Sequence, residues 1–134
     1  MPENQMPAKN SPFEANVVGG VDFTIGSESS NVINVALQLN DVRGNAVGQR
    51  CGVFAYLSDD ANGDSVVATA PDTVAIGTDG LAIETVADKA FQLISETDGD
   101  IDLDIGKTGA DTYYLVVVLP DGTLVVSDAI TFAA

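Results

Sequence analysis

The chain has 134 residues, 46% of them hydrophobic, which suits one domain with a real core. Its 5 basic and 20 acidic residues give a formal charge of −15, which would repel phosphates and anionic lipid headgroups and argues against binding to nucleic acid or a membrane surface. One cysteine and no histidine exclude an intrachain disulfide, a Ser-His-Asp triad, a Cys-His pair and a histidine metal site.

Residues 1–16 are polar, contain Pro2, Pro7 and Pro12, and show no helical or alternating pattern. They predict an extended arm, followed by one domain over residues 17–134. The arm either lies along a neighbouring subunit or packs on its own domain, and its candidate partner contacts are Met6, Phe13 and Glu14. The first residues lack the basic start and apolar centre of a secretory signal, so we expect the product to stay in the cytoplasm or in a particle assembled there.

Short strands follow the arm. Residues 17–25 predict a strand that Gly19 and Gly20 break, at a bulge or a sheet edge. In residues 32–40 and 50–58, apolar residues alternate with others, and the buried sides are predicted to be Ile33, Val35, Leu37, Leu39, Cys51, Val53, Ala55 and Leu57. Because residues 41–47 form a turn by composition, the two strands predict a hairpin.

The middle of the chain alternates turns and short apolar runs. Asp, Asn and Gly predict a loop over residues 59–64, and a short strand is expected at 65–69. Residues 74–77 and 81–86 flank a turn. Residues 87–95 fit either a helical face or a strand, and we predict a strand because nine residues make a marginal helix and the neighbours are β.

Residues 113–132 predict a hairpin around a Pro-Asp-Gly turn at 120–122. Both sides of its first strand are apolar, which is typical of a strand in the middle of a sheet. If that strand instead lies at an edge, its open face is the predicted subunit contact, with Tyr113 as the candidate residue. The whole pattern predicts an all-β antiparallel sandwich of seven to nine strands.

Asp98, Asp100, Asp102 and Asp104 recur at every second residue. Counted from Asp100, a calcium-binding EF-hand would need Gly in sixth place and Glu in twelfth, where the chain has Ile105 and Asp111. The spacing fits a strand with a solvated acidic side, and structural calcium is the alternative. No pattern indicates a cofactor, and the lack of histidine and tryptophan argues against an enzyme, so no catalytic, cofactor-binding or metal-binding residue is predicted.

Two segments resemble bacterial immunoglobulin-like domains of the invasin type. Residues 41–47, Asp-Val-Arg-Gly-Asn-Ala-Val, resemble the D-x-x-G-N-x-V turn of that family, although Ala46 stands where the family usually has proline. Residues 97–103 resemble the start of a later strand in the same domains. The resemblance implies an immunoglobulin-like fold.

The segment TYYLVVVLPDGTLVVSDAITFA, residues 112–133, is similar to auxiliary or cement proteins that decorate the capsids of tailed bacteriophages. That resemblance implies a structural protein on the capsid exterior of the virion, bound to the major capsid protein as a homo-oligomer, with a trimer favoured. The alternatives are an immunoglobulin-like domain of a phage tail or fibre, and a bacterial surface adhesin module, each binding a cell-surface ligand.

Overall fold

The computed structural model describes residues 17–133, which fold into two antiparallel β-sheets. Met6, Phe13 and Glu14 lie outside the described residues. The ten strands are β1 (Val18–Ile25), β2 (Val32–Asp41), β3 (Gly52–Ser58), β4 (Thr73–Ile76), β5 (Leu81–Val86), β6 (Ala90–Ile94), β7 (Asp100–Gly106), β8 (Asp111–Val118), β9 (Leu124–Val126) and β10 (Ile130–Phe132).

The four-stranded sheet has the order β1-β2-β7-β4, and the six-stranded sheet has the order β10-β8-β3-β6-β5, with β9 also paired to β8. Their facing sides form one apolar core, which includes Leu37, Leu57, Phe91, Leu103 and Leu115. The predicted class, an all-β immunoglobulin-like sandwich, is confirmed.

The buried sides that alternation predicts for β2 and β3 are confirmed. Ile33, Val35, Leu37 and Leu39 of β2 are at most 2% exposed, because their side of the strand faces the second sheet. The strand break at the start of the chain is also confirmed, since the β1–β2 register shifts between Val18 and Gly20 at the edge of the four-stranded sheet.

The predicted hairpin between β2 and β3 is wrong. β2 pairs with β1 and β7, whereas β3 pairs with β6 and β8 in the other sheet. The chain turns after β2 through Asp41, whose carboxylate accepts hydrogen bonds from the backbone N–H of Arg43 at 2.9 Å and of Asn45 at 3.0 Å. Gly44 has a φ of +90°, which glycine adopts without strain. Val47 is buried in the segment that connects β2 to the other sheet.

The strand predicted at residues 65–69 is also wrong, because that segment is irregular. One of its residues, Val67, is buried and donates its N–H to the Leu57 carbonyl at 2.8 Å. Residues 87–95 contain β6, so the choice of strand over helix is confirmed.

The hairpin predicted at residues 113–132 exists as β8 and β9, and β8 lies inside its sheet as its doubly apolar sequence required. Gly122 has a φ of +88°, and Leu119 donates its N–H to the Thr123 carbonyl at 2.9 Å. The returning chain divides into β9 and β10 at the buried Ser127, whose hydroxyl accepts the Leu115 N–H at 3.0 Å in place of a carbonyl. This division is one reason that the strand count is ten.

Candidate functional site

The outer side of the six-stranded sheet is mainly apolar from β9 to β5, and the strand register places no charged side chain on it. Strand register places one row of residues across five strands: Leu124 is opposite Val118, Val118 is opposite Phe54, Phe54 is opposite Gln92, and Gln92 is opposite Ile83. Paired residues of an antiparallel sheet point to the same side. We call this surface the apolar face, and its members are Leu81, Ile83, Val86, Ala90, Gln92, Ile94, Gly52, Phe54, Tyr56, Tyr114, Val116, Val118, Leu124 and Val126.

The apolar face is open to solvent over much of its area. Of the eight large hydrophobic side chains that are exposed in residues 17–133, it holds five: Phe54 at 38%, Leu81 at 49%, Ile83 at 51%, Val86 at 50% and Leu124 at 43%. Five strands and two steps along each strand give an area of roughly 300 Å². Contiguous apolar patches of this order are often functional on the surface of a folded chain.

Part of the apolar face is covered by the loop of residues 59–68. The Tyr56 hydroxyl donates to the Gly63 carbonyl at 2.6 Å, and a Cβ placed on Gly63 would lie 3.0 Å from Cγ2 of Val116. Val116 is consequently fully buried although it points away from the core. The loop is shaped by Asp60, whose carboxylate accepts the Asp64 N–H at 3.1 Å, and backbone hydrogen bonds lower the pKa of Asp60.

The outer side of the four-stranded sheet is polar and acidic. Asn34 donates from Nδ2 to Asp102 and to Asp104, both at 2.8 Å, and Asn40 donates to Asp22 at 3.0 Å. The aspartates of β7 are half-buried, so the expectation of a simple solvated side needs correction. The Asn34 amide of the neighbouring strand β2 cross-links Asp102 and Asp104.

Asp102 has a structural role in this row. Its carboxylate accepts the backbone N–H groups of Thr78 at 3.0 Å and of Asp79 at 2.6 Å, and the Thr78 hydroxyl at 3.2 Å. It thereby fixes the turn between β4 and β5 onto β7. Among residues 17–133, no group of three or more Cys, Asp or Glu side chains is arranged to hold a metal ion.

Tyr113, the candidate subunit contact, is fully buried, so the structure corrects that expectation. Its ring packs edge-on against Phe132, with 6.0 Å between ring centroids, and its hydroxyl donates to Asp111 at 3.0 Å. Burial, followed by the hydrogen bond to Asp111, raises the pKa of Tyr113. A side chain in this position stabilises the core and presents nothing to a partner.

The residues of the apolar face are not among the sites that the sequence patterns of the arm and β8 predict. A signal was present: β3 is apolar on both sides through Phe54 and Tyr56, and β5 begins with Leu81, Ala82 and Ile83. β3, its neighbour β8 and the start of β5 in the same sheet are apolar on both sides, which predicts a sheet whose outer side is unsuited to water.

Two features of the described residues bear on catalysis, the thiol of Cys51 and a pair of surface hollows. Cys51 is buried, and burial raises the pKa of its thiol, which disfavours the thiolate that a nucleophile requires. Two surface hollows of about 410 and 420 Å³ share Val17, Val18 and Pro120 in their walls. Both are open, and neither brings together the side chains of a recognisable acid, base and nucleophile. Residues 17–133 include no helix long and apolar enough to cross a membrane.

Comparison with known proteins returns no matching protein family and no matching curated protein. Among solved structures, the chain is similar to a cohesin module from a family 33 glycoside hydrolase of Clostridium perfringens, with a TM-score of 0.37 and 11% sequence identity. The similarity covers 87% of this chain and 94% of the cohesin chain.

Proposed function

We propose that this chain is a non-catalytic structural protein that docks through its apolar face onto a larger protein assembly. The observation that carries the proposal is the contrast between two sheet surfaces. One is uncharged and half-exposed, with Phe54 and Leu124 on it, and the other is acidic. Removing the apolar face from water is favourable by about 25 cal/mol per Å² of apolar area. The acidic surface is hydrogen-bonded and hydrated, so its burial brings no such gain.

Charge defines the chemistry of the docking partner. The chain carries −15, and exposed carboxylates flank the apolar face at Glu84 and Asp121. A complementary surface therefore has an apolar centre and a rim of Lys and Arg. A second copy of the same chain would meet the apolar face with the same negative charge, which disfavours self-association through this face, as opposed to other surfaces, at low salt.

The assembly that we propose is the major capsid protein lattice of a tailed bacteriophage, with this chain as a decoration protein on the virion exterior. The proposal takes up the resemblance to such proteins that the sequence of residues 112–133 suggests. A patch of roughly 300 Å² is smaller than the ~800 Å² per partner of a standard stable interface. A lattice compensates for a weak single contact, because a homo-oligomer, with a trimer favoured, binds it at several points at once.

Location in the virion is tested by mass spectrometry of purified heads and tails. A decoration protein is expected in the head fraction, in many copies per particle. Recovery with the tails would instead support a tail or fibre domain. Absence from virions, together with export to the cell surface, would support an adhesin module. Either of these two results would overturn the capsid assignment.

The docking face is tested by co-sedimentation with heads that lack the protein. Phe54→Ser and Leu124→Ser should each weaken binding by about 1–2 kcal/mol, since each removes half-exposed apolar area from the contact. Val32→Ser is the matched control, because Val32 is 36% exposed but belongs to β2 in the other sheet. Equal losses for all three variants would contradict the face as the binding surface.

The arm is tested by deleting residues 1–16. The sheets and core described above lie within residues 17–133, so the shortened chain should unfold cooperatively. Weaker binding to heads would support arm contacts through Met6, Phe13 or Glu14. Unchanged binding would remove the arm from the interface.

A further inference from the structure

β5 forms one edge of the six-stranded sheet. It pairs with β6 from Leu81, opposite Ile94, to Val86, opposite Ala90, and no other described strand pairs with it. In an antiparallel edge strand, every second residue directs its N–H and C=O away from the sheet. The outer edge of β5 therefore presents a row of backbone donors and acceptors that another strand can use.

The first half of β5 lacks the features that normally block such pairing. A register shift between Glu84 and Val86 disrupts only the end of the strand. β5 contains no Pro, Lys or Arg, and its one charged side chain, Glu84, accepts the Asp88 N–H at 2.9 Å. Other edges are protected differently: β4 has four residues, β10 has three, and β1 is irregular at its start.

The β5 edge continues the apolar face. Leu81 and Ile83 belong to the face and are about half exposed. An added strand would place alternate side chains beside them and extend the row that runs from Leu124 to Ile83. It would also supply contact area that the face alone lacks for a stable interface.

Two occupants from this chain fit the edge poorly. A second copy would bring another β5, which has no basic residue. Each copy carries a net charge of −15, so the two copies would repel each other. The segment 1–16 contains Pro2, Pro7 and Pro12, which are five residues apart and so alternate between the two sides of a strand. Because proline has no backbone N–H, each edge of such a strand would lack at least one of the donors that pairing requires.

We propose that β5 accepts an extended strand from the docking partner, in which apolar residues opposite Leu81 and Ile83 alternate with Lys or Arg opposite Glu84. This rests on the proposed docking function and specifies the chemistry of the partner segment. Backbone hydrogen bonds supply affinity, and the alternating side chains supply specificity. Opposite charges on cross-strand neighbours add about threefold to the affinity.

The first test uses a synthetic peptide of alternating Val and Lys, capped at both ends, and needs no virion. We expect it to bind at low salt and to slow hydrogen exchange of the β5 amides that face away from β6. The matched control has the same side chains but carries N-methyl groups on alternate amides, which removes the edge hydrogen bonds. No slowing of exchange at β5, no peptide binding, or equal binding of the N-methylated peptide would overturn the proposal.

The second test uses variants of the full chain. Ile83→Lys should weaken peptide binding by about tenfold, because it places a like charge beside the added strand. Thr24→Lys is the control, with the same change in net charge on the exposed side of β1. Both variants are then assayed on phage heads. If the wild-type chain does not bind heads, the docking function fails. If the wild-type chain and Ile83→Lys bind heads equally, strand addition fails while docking stands.

Discussion

Asp100 and Asp102 lie two residues apart on the same side of β7, yet the pKa values of their carboxyl groups shift in opposite directions. Burial raises the pKa of Asp102, but hydrogen bonds from Asp79, Asn34 and Thr78 outweigh it and hold the pKa below its ordinary value. For Asp100, burial, followed by the charges of Asp98 and Asp79, raises the pKa. One carboxylate therefore stabilises the fold and the other opposes it.

Replacing each by asparagine should separate the two roles. We expect Asp102→Asn to lower the free energy of unfolding by about 1–2 kcal/mol, because the amide cannot accept the same set of N–H and O–H donors. Asp100→Asn should raise the unfolding temperature, because it removes a charge that its surroundings disfavour. Denaturant and thermal unfolding at neutral pH measure both, and a shift in the same direction for both variants would contradict the assignment.

The pH dependence of the free energy of unfolding also tests whether Asp102 stabilises the fold and Asp100 destabilises it. The contribution of Asp102 is present above the pKa of the unfolded carboxyl, about 4, and is lost as pH falls through the lower folded pKa. The penalty from Asp100 is present at neutral pH and disappears as pH falls through its raised folded pKa. As pH falls, the gain in free energy of unfolding of Asp100→Asn over the wild-type chain should therefore shrink first. The loss in free energy of unfolding of Asp102→Asn should shrink only at lower pH.

The loop over the apolar face depends on one glycine. Gly63 has a φ of +72°, and a Cβ there would lie 3.0 Å from Val116 and 3.2 Å from Val126. We expect Gly63→Ala to destabilise the chain by about 1–2 kcal/mol through backbone strain and displacement of the loop. Gly48→Ala is the control, because a Cβ added at Gly48 would have no atom within 4 Å and its φ is not positive. Equal unfolding free energies for the two variants would contradict this account.

The β1–β2 hairpin uses a turn that its sequence does not favour. Ser30 and Asn31 have φ values of +53° and +66°, and Ser29 and Val32 exchange backbone hydrogen bonds on either side. Two consecutive positive values are typical of the type I′ turn, which prefers Asn followed by Gly. The double change Ser30→Asn and Asn31→Gly should stabilise the chain by about 1 kcal/mol, measured by denaturant unfolding. A loss of stability would show that the present side chains make a compensating contact.

Sequence patterns predict the strands of this chain better than their partners. Alternation in β2 identifies its buried side. The same alternation is expected whether β3 pairs with β2 in one sheet or faces β2 from the opposite sheet. The pattern therefore predicts a β2–β3 hairpin. In the structure, the segment between β2 and β3, which includes the buried Val47, connects the two sheets. At residues 65–69, two adjacent valines suggest a strand where only Val67 is anchored.

The apolar face is harder to predict than the fold. Which side of β3 carries Phe54 follows from alternation, but that β5, β6, β3, β8 and β9 lie side by side does not. The face arises from strand order, which depends on long-range pairing. The expectation for Tyr113 is corrected for the same reason: β10 pairs with β8 at this position and closes the edge, and the Tyr113 ring lies in the core.

On the scale of the whole molecule, the net charge of −15 opposes compaction. Raising salt from about 10 mM to about 1 M shortens the Debye length from ~30 Å to ~3 Å and screens that repulsion. We therefore expect the unfolding temperature to rise with sodium chloride. An uncharged osmolyte at equal osmolality is the control. A salt response no larger than that of the osmolyte would mean that repulsion among the carboxylates has little effect on stability.

The contrast between the two sheet surfaces also affects how the isolated protein behaves in a thin aqueous film. With Phe54, Leu81 and Ile83 on one side and the aspartates of β7 on the other, the molecule is amphiphilic across its thickness. At an air–water boundary the apolar side should turn towards air and the acidic side towards the liquid. Particles frozen in such a film would then present a single dominant view, and a mild detergent that coats the boundary would restore the others.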